Sequence, residues 1–217
     1  MNKERDGKTR MKIALDLDNV IVDIMASARA VTAADHGLVI EDVIETNVYW
    51  DPFTHADPAI AGRLKPDHSF WDREEVLLGA PMLEGSLDAV LRLHDAGLLV
   101  CYITRRPPSV AALTVRWLRD KGYPALPVVH VGHTDRELYF SLCKSSACIE
   151  HGVTHMVDDQ PHEARTLTEA GIRTILVDAP VGREKRREFT ASNPHIPVAD
   201  DLRHAVDMLF EELELTA

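Results

Sequence analysis

From residue 86 to its end, the chain alternates short apolar runs with amphipathic stretches that mostly stop at glycine. This alternation constrains the fold more than any other feature. Ser86 is placed to cap a helix with Leu87, Val90 and Leu91 on one face and Gly97 at its end, and the apolar run 98–103 follows. Ser109 is placed to do the same for a helix carrying Val110, Leu113, Trp117 and Leu118, stopped at Gly122. A strand over 127–131, a helix from Lys144 to Gly152 and a strand over 154–157 come next. Pro161 suits a first helical position, Ala164, Leu167 and Ala170 share a face, and Gly171 precedes a strand over 173–178. The last helix places Leu202, Ala205, Val206, Leu209, Phe210 and Leu213 at helical spacing. With the early apolar run Ile13-Ala14-Leu15, five strands are separated by helices, most of them apolar throughout. That pattern predicts an α/β chain with a doubly wound, parallel, five-stranded Rossmann-like sheet and helices on both faces.

Residues 25–84 break the alternation and are too long for a crossover loop. They predict a mostly α-helical insert after the first strand, with one helix from Ile24 to Asp35 ended by Gly37. The resulting division is a charged, disordered lead-in over 1–10, an α/β core over 11–24 and 85–217, and the insert over 25–84. Residues 180–199 read as one long irregular stretch, with the charge run Arg183 to Glu188 as a solvated helix or loop.

Charge narrows the function. The chain of 217 residues carries 24 Lys and Arg against 35 Asp and Glu, a net charge of −11, which argues against binding a nucleic-acid polymer. No apolar run approaches the roughly 20 residues of a membrane helix. The three cysteines, Cys101, Cys143 and Cys148, have no metal-type C-x-x-C spacing and fit free thiols in a cytoplasmic protein. The eleven histidines form no H-E-x-x-H pair, so zinc is not indicated. His130 reads as structural, and His162 is placed to reach the mouth of a site at the strand ends.

In such a sheet the ligand sits beyond the carboxyl ends of the strands. Asp16 and Asp18 close the first strand, Thr104 and Arg105 the second, and Asp158 and Asp159 the fourth, with Lys144 between. Carboxylates gathered at one edge repel unless a cation takes their oxygens, and a hard divalent ion suits them. Asp-x-Asp-x-Val, Thr, Lys and Asp-Asp, in this order and each on its expected element, resemble the haloacid dehalogenase-like phosphotransferases. The segments 103–107 (ITRRP), 143–147 (CKSSA) and 157–161 (VDDQP) look like the 5′(3′)-deoxyribonucleotidase branch, whose helical cap also follows the first motif.

The resemblance implies a Mg²⁺-dependent phosphomonoester hydrolase with an aspartyl-phosphate intermediate, acting on (deoxy)nucleoside monophosphates. It makes Asp16 the nucleophile and Asp18 the acid and base. Thr104 and Lys144 complete the catalytic set. Leu17, Asp18, Thr104, Arg105 and Lys144 contact the phosphate. Asp16, Asp158 and the Asp18 carbonyl ligate Mg²⁺, and Asp159 orients Lys144 or a metal-bound water. Asn19 replaces the family's usual glycine, and asparagine tolerates left-handed geometry.

Asp18 favours phosphoester hydrolysis over dehalogenation or phosphonate cleavage. A response-regulator receiver would place its acid pair first and a single acid later, and dinucleotide binding would need G-x-G-x-x-G after the first strand. A phosphatase for another small metabolite is the alternative, and a non-catalytic phosphate- and Mg²⁺-binding protein is disfavoured because every chemical position is filled. Tyr49, Trp50, Phe53, Phe70 and Trp71 concentrate in the insert. They read most simply as the insert's own small core. The sharper reading is substrate contact by Trp50, Phe53, Phe70 and Trp71, with Arg106 beside the phosphate. The run from Arg183 has a sharper reading too, as a contact to a second substrate phosphate. The expected partner is a small phosphorylated substrate, without a membrane, and a homodimer is compatible with the sequence.

Overall fold

A computed structural model describes residues 10–46, 51–132, 143–179 and 183–216. The core is one parallel sheet of six strands in the order β5-β4-β1-β6-β7-β8. These are β1 (Ile13–Leu15), β4 (Leu99–Thr104), β5 (Val128–His130), β6 (His155–Asp158), β7 (Arg173–Val177) and β8 (Val198–Ala199). Between β1 and β4 lie α1 (Ile24–His36), the two-residue strands β2 (Ile44–Glu45) and β3 (Phe53–Thr54), α2 (Pro58–Ala61) and α3 (Glu74–Gly79). The core helices are α4 (Ser86–Asp95), α5 (Ala111–Asp120), α6 (Lys144–Glu150), α7 (Pro161–Glu169), α8 (Arg183–Ser192) and α9 (Leu202–Thr216). The doubly wound α/β reading holds, with a sixth strand in place of the expected five.

β1 sits between β4 and β6, pairing parallel with both, and the chain order reverses around it. That switch point opens a crevice beyond the carboxyl ends of β1, β4 and β6, where the flagged acids and Thr104 fall. Ile13, Ala14 and Leu15 are fully buried because helices cover both faces, and this is why the strand is uniformly apolar.

The segment 25–84 does not keep a core of its own. Val43, Phe53, Leu64, Phe70, Val76 and Leu77 lie in the same buried cluster as Ile13 and Leu15. Each large apolar side chain hidden there contributes about 2 kcal/mol or more, so the insert is anchored by burial. α1 begins with the Asp23 carboxylate accepting the Ala26 N–H at 3.0 Å and ends at Gly37, whose φ of 63° is the left-handed cap expected of it.

Several local expectations are corrected. Ser86 is not a cap. Gly85 occupies that position at φ 71°, and the buried Ser86 hydroxyl bonds the Leu83 carbonyl and the Tyr123 hydroxyl, both at 2.6 Å. Ser109 lies inside a 3₁₀ turn, Pro108–Val110, and α5 starts at Ala111 with no side-chain cap. The stretch read as irregular contains α8 and β8. α8 stays attached because Arg186 is buried, so the charge run is not simply solvated. Among the described residues, no helix is long and apolar enough to cross a membrane.

Candidate active site

The backbone N–H of Asp16 donates to the Val157 carbonyl at 3.0 Å, which carries the β1–β6 ladder one residue past Leu15. The Asp16 carboxylate is thereby delivered to the strand edge beside Asp158, the last residue of β6. Lys144, the first residue of α6, is fully buried and bonds Asp158 Oδ2 at 2.7 Å and Asp16 Oδ2 at 2.9 Å. Asp158 Oδ1 accepts the Gln160 N–H at 2.9 Å. Asp159 Oδ2 accepts from Asn19 Nδ2 at 3.1 Å and from Gln160 Nε2 at 2.7 Å. Asn19 stands at φ 62°, so the left-handed turn between the two halves of Asp-x-Asp-x-Val survives without glycine.

One oxygen each from Asp16, Asp158 and Asp159 lie within 4.8 Å of one another, all on buried residues. Lys144 cannot balance this cluster alone. Burial raises the Asp16 pKa well above the ordinary carboxylate value, and Asp158, Asp159 and Asp18 add to the rise while Lys144 opposes it. Burial likewise pushes Asp159 up to about 6, with Asp158 adding to it. Burial disfavours the charge on Lys144, but Asp158, Asp16 and Glu163 outweigh that cost and hold its pKa above the ordinary lysine value. Asp16 Oδ1 is buried without a hydrogen-bond partner. Three buried carboxylates this close, with one lysine to balance them, are what a site for Mg²⁺ presents, so the residues fit that ion.

Thr104 is fully buried, and its Oγ1 accepts the Arg106 N–H at 3.2 Å, which leaves the hydroxyl proton free to donate. The N–H groups of Leu17 and Asp18 donate to no acceptor, and the Asp18 carbonyl accepts no hydrogen bond, among the described residues. These are the groups the phosphate and metal reading requires.

Other residues fall differently from the sequence expectation. The Asp159 carboxylate stands within the acidic cluster and does not bond Lys144, which is already held by Asp16 and Asp158. Arg105 turns to Glu163, a carboxylate in the first turn of α7 with no exposed surface. Arg106 is buried and forks the Asp18 carboxylate, so it is not poised to meet a substrate. Phe53 and Phe70 are packed in the core shared with the sheet. Trp71 is half-buried with its ring edge-on to Phe70 at 5.6 Å, and Trp50 and Tyr49 lie outside the described residues. His162 does reach this edge, with Nε2 at 3.3 Å from Glu163 Oε1. His130 Nδ1 lies 3.1 Å from the Arg106 carbonyl and serves as a support.

Two residues at this edge carried no sequence signal. Glu163 looks like an ordinary first-turn acid, yet burial, which would raise its pKa, is overcome by His162, Lys144 and Arg105, and the pKa falls to about 2. Arg186, inside the charge run, donates Nη1 to the Asp159 carbonyl at 2.9 Å and also reaches the Ala179 carbonyl. It ties α8 to the loop after β6.

No family model matches the sequence. A curated protein named "Putative nucleotidase OB0422", from Oceanobacillus iheyensis, is 30% identical over 107 residues, which is 49% of this chain and 54% of that relative. The chain thus matches about half the length of that relative. A haloacid dehalogenase-like family hydrolase, SP0104 from Streptococcus pneumoniae, superposes with a TM-score of 0.57 at 12% identity over 92% of this chain and 98% of its own. The D,D-heptose 1.7-bisphosphate phosphatase of B. bronchiseptica, solved with magnesium and phosphate, gives 0.51 at 14% identity over 94% and 99%. The fold of this chain is the haloacid dehalogenase-like fold, and its strand ends carry an aspartate cluster around a buried lysine.

Proposed function

We propose that the chain is a Mg²⁺-dependent phosphomonoester hydrolase that forms an aspartyl phosphate on Asp16, with (deoxy)nucleoside monophosphates as substrates. The observation that carries the reading is the Lys144 bridge, which occupies one oxygen of Asp16 and one of Asp158 and leaves Asp16 Oδ1 without a partner. That oxygen attacks phosphorus while the bond to the leaving oxygen breaks, and Asp18 gives the leaving oxygen its proton. Water then attacks phosphorus, the bond to Asp16 breaks, and Asp18 takes the water proton, so the enzyme returns to its starting state. Thr104, Lys144 and the Leu17 and Asp18 N–H groups hold the phosphoryl oxygens. Asp16, Asp158, Asp159 and the Asp18 carbonyl hold Mg²⁺, which when bound supplies positive charge to the phosphoryl group. Asp16 is 5% exposed and Thr104 is buried, so a local part of the segment 25–84 moves aside to admit the phosphate while the rest stays packed on the sheet.

The nucleotide choice is supported by charge. Residues 25–84 carry eleven Asp and Glu against four Lys and Arg, a net charge of −7. Of those four cations, Arg29 pairs with Glu45, Lys65 with Asp51, and Arg73 with Asp35 and Glu75. Such a cap repels a second anionic group and accepts an uncharged leaving group such as a nucleoside. The name of the relative matched over 54% of its length supports the nucleotide choice, and the magnesium and phosphate in the heptose bisphosphate phosphatase support only the metal and phosphate part of the reading. Three free thiols, two of them buried, suit a reducing cytoplasm.

The test is phosphate release from a panel of nucleoside monophosphates, sugar phosphates and bisphosphates, with Mg²⁺ and with excess chelator. Turnover of nucleoside monophosphates that chelator abolishes is expected. A preference for bisphosphates would overturn the substrate class, and full activity in chelator would overturn the mechanism.

A further inference from the structure

The Asp18 carboxylate does not hang free at the mouth of the site. Arg106 Nη2 donates to its Oδ1 at 2.6 Å and Nε to its Oδ2 at 3.0 Å, a two-point fork between residues 88 positions apart. The guanidinium is 4% exposed and the carboxylate 21% exposed, so the pair is anchored from the protein side and open only on the side of Asp18.

Arg106 itself is held at several points. Its Nη1 reaches Thr114 Oγ1 at 3.4 Å, and the Thr114 hydroxyl donates in turn to the Val110 carbonyl at 3.1 Å. Its N–H is held by Thr104 Oγ1, and its carbonyl accepts His130 Nδ1, which fixes that ring nitrogen as the protonated one. Behind the loop, the backbone of Gly132 presses on Arg105 so closely that a Cβ there would lie 1.5 Å from the Arg105 carbonyl oxygen. This much support is far more than a salt bridge needs to join two loops, and it ends on one carboxylate.

We propose that Arg106 is a positioning residue that fixes the Asp18 carboxylate for proton exchange with the leaving oxygen and, later, with the attacking water. The proposal rests on the acid and base role of Asp18. A carboxylate on a single bond rotates about χ2, and a two-point fork removes that rotation while leaving each oxygen a second lone pair, on a side chain that is 21% exposed. Proton transfer falls steeply when donor and acceptor lose hydrogen-bond reach, so the fork sets the rate wherever the leaving group needs a proton. A purely structural ion pair would not make this distinction.

The experiment measures kcat/KM for a nucleoside monophosphate, whose alkoxide leaves poorly, and for para-nitrophenyl phosphate, whose phenolate needs little help. Arg106→Lys keeps the charge and loses the fork. It is expected to lower the ratio of the two values by about tenfold or more, with the nucleotide rate falling most. Equal slowing of both esters, or no slowing of the nucleotide, overturns the proposal. Arg106→Met goes further, and if it fails to fold, the lysine variant and a double-mutant cycle with Asp18→Asn still decide. In the Asp18→Asn background, Arg106→Lys is expected to leave the nucleotide rate unchanged, and a second drop as large as in the native background refutes the coupling. The two possible failures are distinguishable. If Asp18→Asn itself slows both esters equally, the acid and base role of Asp18 falls and the positioning role with it. If Asp18→Asn discriminates between the esters and Arg106→Lys does not, only the positioning role falls.

Discussion

Replacing Lys144 with methionine tests the electrostatics of the site apart from its chemistry. The side chain has no exposed surface, and its ammonium is bonded to Asp16, 7% exposed, and Asp158, fully buried. Methionine fills a similar volume without charge, so two carboxylates lose their shared cation in a region that already holds Asp159. Breaking a buried pair by removing one partner costs about 3–5 kcal/mol. In a chain of this size, 1 kcal/mol moves the midpoint by roughly 2–4 °C, so without metal the melting temperature should fall by about 10 °C. Mg²⁺ replaces the missing charge in part, so the variant should gain more from added Mg²⁺ than the native chain does. Turnover should drop by about 10²–10³ even with Mg²⁺, because in the proposed mechanism the lysine also holds the phosphoryl oxygens. Thermal unfolding by circular dichroism, with chelator and with Mg²⁺, is run beside phosphate release. A metal-free midpoint that stays with the native one would refute the reasoning, since it would mean that the carboxylates never relied on Lys144.

Glu163 has a folded pKa near 2 against an ordinary 4.5, so it contributes stability above pH 4.5 that is lost as the pH falls toward 2. The contribution is on the order of 3 kcal/mol, and Glu163→Gln should flatten the acid limb of the unfolding midpoint against pH. Asp159 has the opposite sign. Its folded pKa near 6 lies above the ordinary 3.8, so its stabilising contribution is present below that value and lost as the pH rises through 6. Mg²⁺ favours the ionised form, and the Mg²⁺-induced rise in midpoint should therefore grow between pH 5 and pH 7, a trend that calorimetry at the two pH values checks. Gly132→Ala drives a Cβ into the Arg105 backbone and should cost about 3 kcal/mol or more, read as a lower midpoint and a loss of activity on every ester alike.

The core of this site was legible because it is built at strand ends. A buried parallel strand announces itself as an apolar run, and the polar residue that ends it marks the crevice, so Asp16, Thr104 and Asp158 could be placed from spacing alone. Lys144 was singled out by the resemblance alone, since a lone lysine opening a helix is usually solvated. What spacing does not encode is which side chain meets which across the sheet. The Arg106 fork on Asp18 and the Arg105 pair with Glu163 join residues 88 and 58 positions apart, and nothing near either arginine signals its partner. β8 escaped because two residues carry no periodicity, and α8 because one buried arginine in a charged run looks like its solvated neighbours. The aromatics of the insert show the limit of composition. Phe53 and Phe70 pack in one cluster with the sheet, and composition alone does not separate packing from substrate contact.

The measurement closest to the central claim is mass spectrometry of the Asp18→Asn variant, quenched in acid within one turnover of a nucleoside monophosphate and Mg²⁺. Asparagine keeps the backbone carbonyl at residue 18 but cannot activate water, so the intermediate should accumulate. The account predicts one added phosphoryl group on the peptide that contains Asp16, absent when chelator is present and absent in an Asp16→Asn, Asp18→Asn double variant. A phosphoryl group on any other residue, or phosphate released without any phosphorylated protein in the native enzyme and the variant alike, would contradict it.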